Sequence, residues 1–289
     1  MHLGIFIAIT ESTIRIDELA RAVEARGFES LWVPEFTHVP VHRRTPLPSY
    51  LRAPGAGDEQ PPHRSHIFDP FITLTGAAAV TQTLKLGTGI CLLIQRDTIM
   101  TAKAVACLDQ LSGGRVLFGI GGGWNAEQME HHGTMFKTRF QKMGEQVRAM
   151  KAIWTQDIAE FHGEFVNFAP LWCWPKPVQQ PHPPVLLGGE SSYTLQRVVD
   201  YGEGWLPRTH VLRQPAQVMQ GMVELRERAV KAGRDMQTIS VSVFGAAADR
   251  QQLEAYRAAG VTRAVLMVPQ PADRETVLPL LDQYAQLLR

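Results

Sequence analysis

The sequence is poor in cysteine, in unbalanced charge and in long apolar runs, and each shortage excludes something. Three cysteines, Cys91, Cys107 and Cys173, stand among 289 residues. An odd, widely spaced set builds neither a disulfide framework nor a CxxC metal site, so reduced thiols in a cytoplasmic protein are the expectation. Lys plus Arg number 29 and Asp plus Glu 28, a formal net charge of +1. Binding to nucleic acid or to an anionic membrane needs clustered positive charge, which this balance does not support. The longest uncharged stretch, Pro70–Leu84, has 15 residues and is rich in Thr and Ala. It is too short and too polar to span a bilayer. The start, Met-His-Leu-Gly-Ile-Phe-Ile-Ala-Ile, lacks the basic segment and cleavage site of a signal peptide and reads as a strand.

What is present points to a large folded core. The apolar fraction is 45% and the charged fraction 20%, far from the composition of a disordered chain. The length fits two ordinary domains or one large α/β barrel with insertions. Strand and helix signals alternate. Apolar runs of strand length lie at Leu3–Ile9, Ser30–Pro34, Leu84–Leu93, Val116–Ile120, Pro184–Leu187, Gly204–Leu206, Ile239–Phe244 and Thr262–Met267. Helical spacing follows each of them. The first helix has Ser12 as its expected N-cap, with Ile16, Leu19, Ala20 and Val23 on one face and Gly27 at its end. Asp69–Pro70 opens the second. Others are expected at Thr98–Leu111, Ala126–His131, Arg139–Trp154, from Ser192, Pro215–Ala232, Arg250–Ala259 and Glu275–Leu288. Strict βα alternation implies parallel strands, because parallel neighbours need a crossover. Eight such units predict a single (β/α)8 barrel domain over residues 1–289, an open doubly wound sheet being the competing arrangement. Two connections exceed what a helix needs, and these are the insertions, at about 36–68 and 158–183. The first holds six prolines and four of the ten histidines.

A barrel carries its site at the C-terminal ends of its strands. After strand two stand Glu35 and His38; after strand three, Leu92–Arg96; after strand four, Gly121-Gly122-Gly123-Trp124-Asn125; after strand five, Gly188-Gly189-Glu190-Ser191-Ser192. Gly119-Ile-Gly121-Gly122-Gly123-Trp124 fails the dinucleotide pattern GxGxxG because Trp124 occupies the last position. Its bare backbone instead admits a flat or anionic ligand, or serves a crowded turn. The turn from Gly188 to Ser192 opens a helix, where backbone N–H groups and two hydroxyls suit a phosphate; Ser192 reads equally as an ordinary N-cap, and Arg197 as a solvated charge. His38 sits at the mouth of the first insertion and is a candidate catalytic residue with Glu35. No HxH stands on strand one, His131–His132 lack the HExxH spacing of zinc helices, and no metal site is expected. No G-x-S-x-G elbow is present.

These residues, in this order, resemble the luciferase-like monooxygenase superfamily, and most closely its branch using the deazaflavin coenzyme F420. The resemblance runs from Leu3 to about Arg208. It rests on Leu3-Gly-Ile-Phe, on Ala25-Arg-Gly-Phe-Glu-Ser-Leu-Trp-Val-Pro-Glu leading to His38, on Phe68-Asp-Pro-Phe and on Leu86-Gly-Thr-Gly-Ile. It continues through Leu111-Ser-Gly-Gly-Arg-Val, Gly119-Ile-Gly-Gly-Gly-Trp-Asn, Pro175-Lys-Pro-Val-Gln-Gln-Pro-His-Pro-Pro and Gly188-Gly-Glu-Ser. The resemblance implies a flavin or deazaflavin in the strand-end pocket and hydride chemistry on a small organic substrate. It implies His38 as a polar contact and proton donor near the ring. It implies a non-prolyl cis peptide at the end of strand three, by position Gly89–Ile90 or the next bond, so that Gly89, Ile90 and Cys91 adjoin the ring. Gly121, Gly122, Gly123, Trp124 and Asn125 line the ring or its side chain, and Gly188, Gly189, Glu190, Ser191 and Ser192 hold the phosphate. Where F420 users often carry a Trp or an acidic residue, this sequence has Phe36–Thr37. An FMN-dependent two-component monooxygenase using O2 is the alternative, and a non-catalytic flavin-binding barrel a second one. A homodimer and a flavin or F420 reductase as reductant supplier are the partners the resemblance implies.

Overall fold

The computed structural model describes residues 1–48, 62–209 and 215–288. Residues 49–61 of the first insertion therefore lie outside the described residues. Element order is β1 (His2–Phe6), α1 (Ile16–Ala25), β2 (Ser30–Val33), α2 (Pro70–Ala78), β3 (Lys85–Thr88), α3 (Thr98–Ser112), β4 (Val116–Ile120), α4 (Ala126–His131) and α5 (Arg139–Thr155). Then follow β5 (Ala159–His162), β6 (Asn167–Leu171), β7 (Val185–Gly188), α6 (Ser192–Tyr201), β8 (Gly204–Leu206), α7 (Pro215–Lys231), β9 (Ser240–Phe244), α8 (Arg250–Ala258), β10 (Arg263–Met267) and α9 (Arg274–Ala285). Strands β1–β4 and β7–β10 pair in parallel and close into an eight-stranded barrel, β10 returning to β1 with Val265 opposite Gly4. The chain is thus a (β/α)8 barrel.

The strands are apolar on both faces because both are covered. Leu3, Ile5, Leu31, Val33, Phe118, Val185 and Leu187 pack outward under the helices. Trp32, Leu117, Leu186, Leu206, Phe244 and Val265 form a second, separate cluster that fills the barrel. The fully buried Trp32 dictates the neighbouring strands. A Cβ on Gly87 would stand 2.1 Å from its ring, and one on Gly4 3.1 Å from its Nε1. Only glycine at these two registers lets the indole lie between the strands.

Helix ends follow local chemistry. Asp69 accepts from the N–H groups of Phe71 and Ile72 with Pro70 at the first position, and Asp97 accepts from Met100. The expected Ser12 cap is not used. Arg15 precedes α1 without a side-chain cap, and Ser12 hydrogen-bonds Thr10 Oγ1 at 3.1 Å instead. The reason is a hydroxyl-closed turn, in which Thr13 Oγ1 donates to the Thr10 carbonyl and accepts from its N–H.

Three other expectations change. β1 stops at Phe6 rather than Ile9, and β3 at Thr88 rather than Leu93. After Thr88 the chain passes a cis Gly89–Ile90 bond and enters a 3-10 turn at Leu93–Gln95. The third concerns residues 158–183, which are irregular by sequence but include an antiparallel hairpin of β5 and β6. Its tip is held from outside: Glu145 on α5 accepts the N–H groups of Glu164, Phe165 and Val166. The rest of that insertion is a strap on the outer helices. Lys176 donates to the carbonyls of Ile153 and Gln156 at 2.6 Å, and Gln179 donates to both oxygens of Asp109.

Candidate active site

At the exit of β4, Gly121, Gly122 and Gly123 turn the chain into α4, with Gly123 at φ +61°. A Cβ on Gly121 would lie 2.4 Å from Ile90 Cδ1, and one on Gly122 2.5 Å from Phe140 Cε1. The chain's own side chains therefore cover these two faces, so the glycines relieve crowding there. Asn125 is buried and caps α4, its Oδ1 accepting from Gln128 N at 2.9 Å. Trp124 has the Arg43 guanidinium 5.4 Å above its ring. The Gly89–Ile90 peptide is cis, where the resemblance placed such a bond. Cys91 follows, fully buried, and burial pushes its thiol well above the ordinary value, away from nucleophilic use.

Glu35 and His38 share the exit of β2 but face different surroundings. Glu35 is 3% exposed. One carboxylate oxygen accepts from Leu92 N and the other from Arg96 Nε, each at 2.6 Å. Arg96 also reaches Asp69, the cap of α2. Burial pushes the Glu35 carboxyl up while Arg96 pulls it down, and burial prevails. This triad clamps β2, the turn after β3 and α2 together. Both Glu35 oxygens are committed to it.

His38 meets two histidines that the sequence reading set aside. Its Nε2 lies 2.8 Å from His131 Nδ1, and its Nδ1 lies 2.9 Å from Thr37 Oγ1. Thr37 Oγ1 also lies 3.1 Å from His132 Nε2 and donates to Gln95 Oε1 at 3.3 Å. The His38 and His131 rings are nearly parallel, 5.0 Å between centroids. Gln128 fixes the loop by donating to the His38 carbonyl at 2.6 Å. Burial, then the charge of His131, lowers the His38 pKa, and burial foremost lowers that of His132. Gln95 and Gln128 are buried. Their role was invisible in sequence, because nothing local marks two glutamines brought from different βα units to one threonine. Among the described residues no group of three or more His, Cys, Asp or Glu is arranged to hold a metal ion.

The turn after β7 is polar and clamped. Gly189 has φ +134°, and a Cβ there would stand 2.7 Å from Thr194 Oγ1. Ser191 is the N-cap of α6, its hydroxyl accepting from Thr194 N. Ser192 does not cap; its hydroxyl donates to Glu224 at 2.6 Å and accepts from Arg228 Nη2 at 2.5 Å. Glu190 accepts from Arg208 through both oxygens, each at 2.7 Å, so its charge is neutralised beside the helix start. Arg197 is not a solvated charge: it is half-buried and lies 3.7 Å from the Phe140 ring centroid. The first-turn N–H groups of α6 and the Arg228 guanidinium form a donor set suited to a phosphate, the Ser192 proton being committed to Glu224. Glu224 is an opposing charge beside them. Nothing local in the sequence marks Arg228, which arrives from α7.

The family model of luciferase-like monooxygenases matches residues 1–285, and the chain belongs to that family. An uncharacterised protein of Mycobacterium tuberculosis is 37% identical over 225 residues, covering 76% of this chain and 77% of its own. The FMNH2-dependent dimethylsulfone monooxygenase of Pseudomonas putida is 38% identical over 95 residues, 32% of this chain and 26% of its own. Among solved structures, the coenzyme F420-dependent tetrahydromethanopterin reductase of Methanopyrus kandleri superposes with a TM-score of 0.73 at 16% identity, covering 99% of this chain and 97% of that one. The chain is therefore a luciferase-like barrel of an oxidoreductase family. No helix of the described residues is long and apolar enough to cross a membrane.

Proposed function

We propose that this protein is an oxidoreductase that moves a hydride between coenzyme F420 and a small organic substrate, in either direction, with His38 handling the accompanying proton. The observation that carries the proposal is the half-buried His38 at a barrel strand's C-terminal end, held by hydrogen bonds on both ring nitrogens. A histidine kept neutral near pH 7 is poised to exchange a proton. When bound, the deazaflavin supplies the hydride chemistry. The chain's residues do the rest. The α6 N-terminus, Ser191 and Arg228 would hold the anionic end of the cofactor, with Ser192 positioning Arg228. The backbone of Gly121–Gly123 and of the Gly89–Ile90 turn would line the ring's place, and His38 Nε2 would give or take the proton. Glu35, buried and ion-paired with Arg96, acts as a positioning residue through Arg96 and Leu92.

The similarity to an FMNH2-dependent monooxygenase over 95 residues favours a second reading, FMN with O2, on the same pocket. Titration separates the two. F420 fluorescence quenching with saturable stoichiometry, and weak FMN binding, is the expected result. Tight FMN binding, with O2 consumption on supplying reduced FMN and no F420 quenching, overturns the first reading. Under the first, His38→Ala loses turnover, and the wild-type reaction that needs the protonated imidazole fades as pH rises through a midpoint below that of an ordinary histidine. Unchanged turnover and pH dependence in His38→Ala removes the proton role.

A further inference from the structure

The Thr37 hydroxyl joins the histidine cluster, with His38 Nδ1, His132 Nε2, Gln95 Oε1 and, at 3.5 Å, Gln128 Nε2 around it. It has one proton and two lone pairs. Its proton goes to Gln95 Oε1. The two imidazoles, His38 Nδ1 at 2.9 Å and His132 Nε2 at 3.1 Å, lie closer to its lone pairs than the Gln128 amide at 3.5 Å. With those lone pairs given to the closer imidazoles, neutral His38 takes the Nδ1–H tautomer with a bare Nε2, and His131 Nδ1, 2.8 Å away, is the donor to it, its own Nε2 being bare. His131 and His132 are exposed on α4, whereas His38 is half-buried.

We infer that His131 is the solvent-side proton relay of His38, and that Thr37 is the positioning residue that sets the His38 tautomer. The inference rests on the proposed role of His38. His131 takes a proton from water or buffer at Nε2. It passes its Nδ1 proton to His38 Nε2; the first N–H bond breaks as the second forms. His131 ends neutral with its proton on Nε2, and His38 ends as the imidazolium. One proton enters and one moves on, and no redox step is involved. The exposed His131 ring then gives way to substrate, which receives the Nε2 proton.

The surroundings disfavour charge on His38 and His132. His131 and His132 face His38 from α4, while Arg96 beside β3 and Lys142 on α5 act on His132. All four disfavour a further proton. The nearby carboxylates are engaged elsewhere, Glu35 and Asp69 by Arg96 and Glu127 and Glu130 by Arg44.

The test is NMR on the full chain labelled with 15N- and 13C-histidine, without cofactor or substrate. Neutral His38, assigned with His38→Ala, should show the Nδ1–H pattern and titrate below an ordinary histidine. In His131→Gln its midpoint should rise. In Thr37→Val it should lose the Nδ1–H preference, and in His132→Gln it should keep it. A neutral His38 protonated at Nε2, or a His38 titration that His131→Gln leaves unmoved, overturns the relay. Loss of turnover in His38→Ala is a separate outcome, so the relay and the proposed function fail distinguishably.

Discussion

Arg263 opens β10 at the end of the barrel opposite the site, and its removal should cost stability without touching cofactor binding. The residue is 4% exposed. Its Nε donates to Glu29 at 2.6 Å, Nη2 donates to the other Glu29 oxygen, and Nη1 donates to Ser242 Oγ at 2.9 Å. The guanidinium also lies 5.7 Å from the Trp32 ring. Arg263→Met keeps most of the buried stem and deletes the charge, leaving the Glu29 carboxylate, its side chain 16% exposed, with Lys85 at 4.0 Å. Orphaning one member of a buried pair costs about 3–5 kcal/mol. The remaining lysine places this site at the low end, about 3 kcal/mol, or roughly 9 °C in Tm for a chain of this size. Urea unfolding followed by circular dichroism gives the number. The double variant Glu29→Gln/Arg263→Met removes the orphan and should recover at least about 1 kcal/mol. The effect should also depend on pH. Burial alone would raise the Glu29 carboxyl, but Arg263 holds it below the usual carboxylate range. A depressed folded-state pKa gives stability that is present above the unfolded value and lost as pH falls through the folded one. The gap between wild type and Arg263→Met should therefore close below about pH 4. A single variant within about 1 kcal/mol of wild type, or a double variant no better than the single, refutes this reasoning.

Gly119 belongs to the glycine-rich stretch read as ligand-facing, yet a Cβ there would stand 2.1 Å from the Thr88 carbonyl oxygen. Backbone cannot swing aside, so Gly119→Ala should lose about 2–3 kcal/mol in denaturant unfolding, whereas Gly121→Ala meets only the flexible tip of Ile90 and should lose less. At the α6 start, Arg228→Met should weaken and Glu224→Gln should strengthen binding of the anionic cofactor, each by about fivefold at low salt and less at high salt, measured by titration. Equal effects of the same sign would remove the turn after β7 from the anion site.

The barrel was legible in the sequence because its signals are local. Strand-length apolar runs alternate with helical spacing, and Asp69–Pro70 and Gly113 punctuate the helices where the chain turns. The match over residues 1–285 reflects motifs that are local too. The ends of β1 and β3 were not legible, since apolar residues continue past the point where strand pairing stops. The β5–β6 hairpin was hidden because its turn is held by Glu145 from another element. Ser12 misled because a threonine two residues earlier competes for its hydroxyl.

The candidate site divides the same way. By itself the sequence determined which strand ends carry polar and glycine-rich turns, and it placed His38 and Ser191 there. The tertiary structure alone decided what those residues touch. It tied Glu35 to Arg96, brought His131 and His132 from α4 to His38, and carried Arg228 from α7 to Ser192. Such contacts join residues 36 to 95 positions apart, and no local pattern encodes them. Periodicity reports which face of an element is buried; only closure of the barrel determines which elements meet at its mouth.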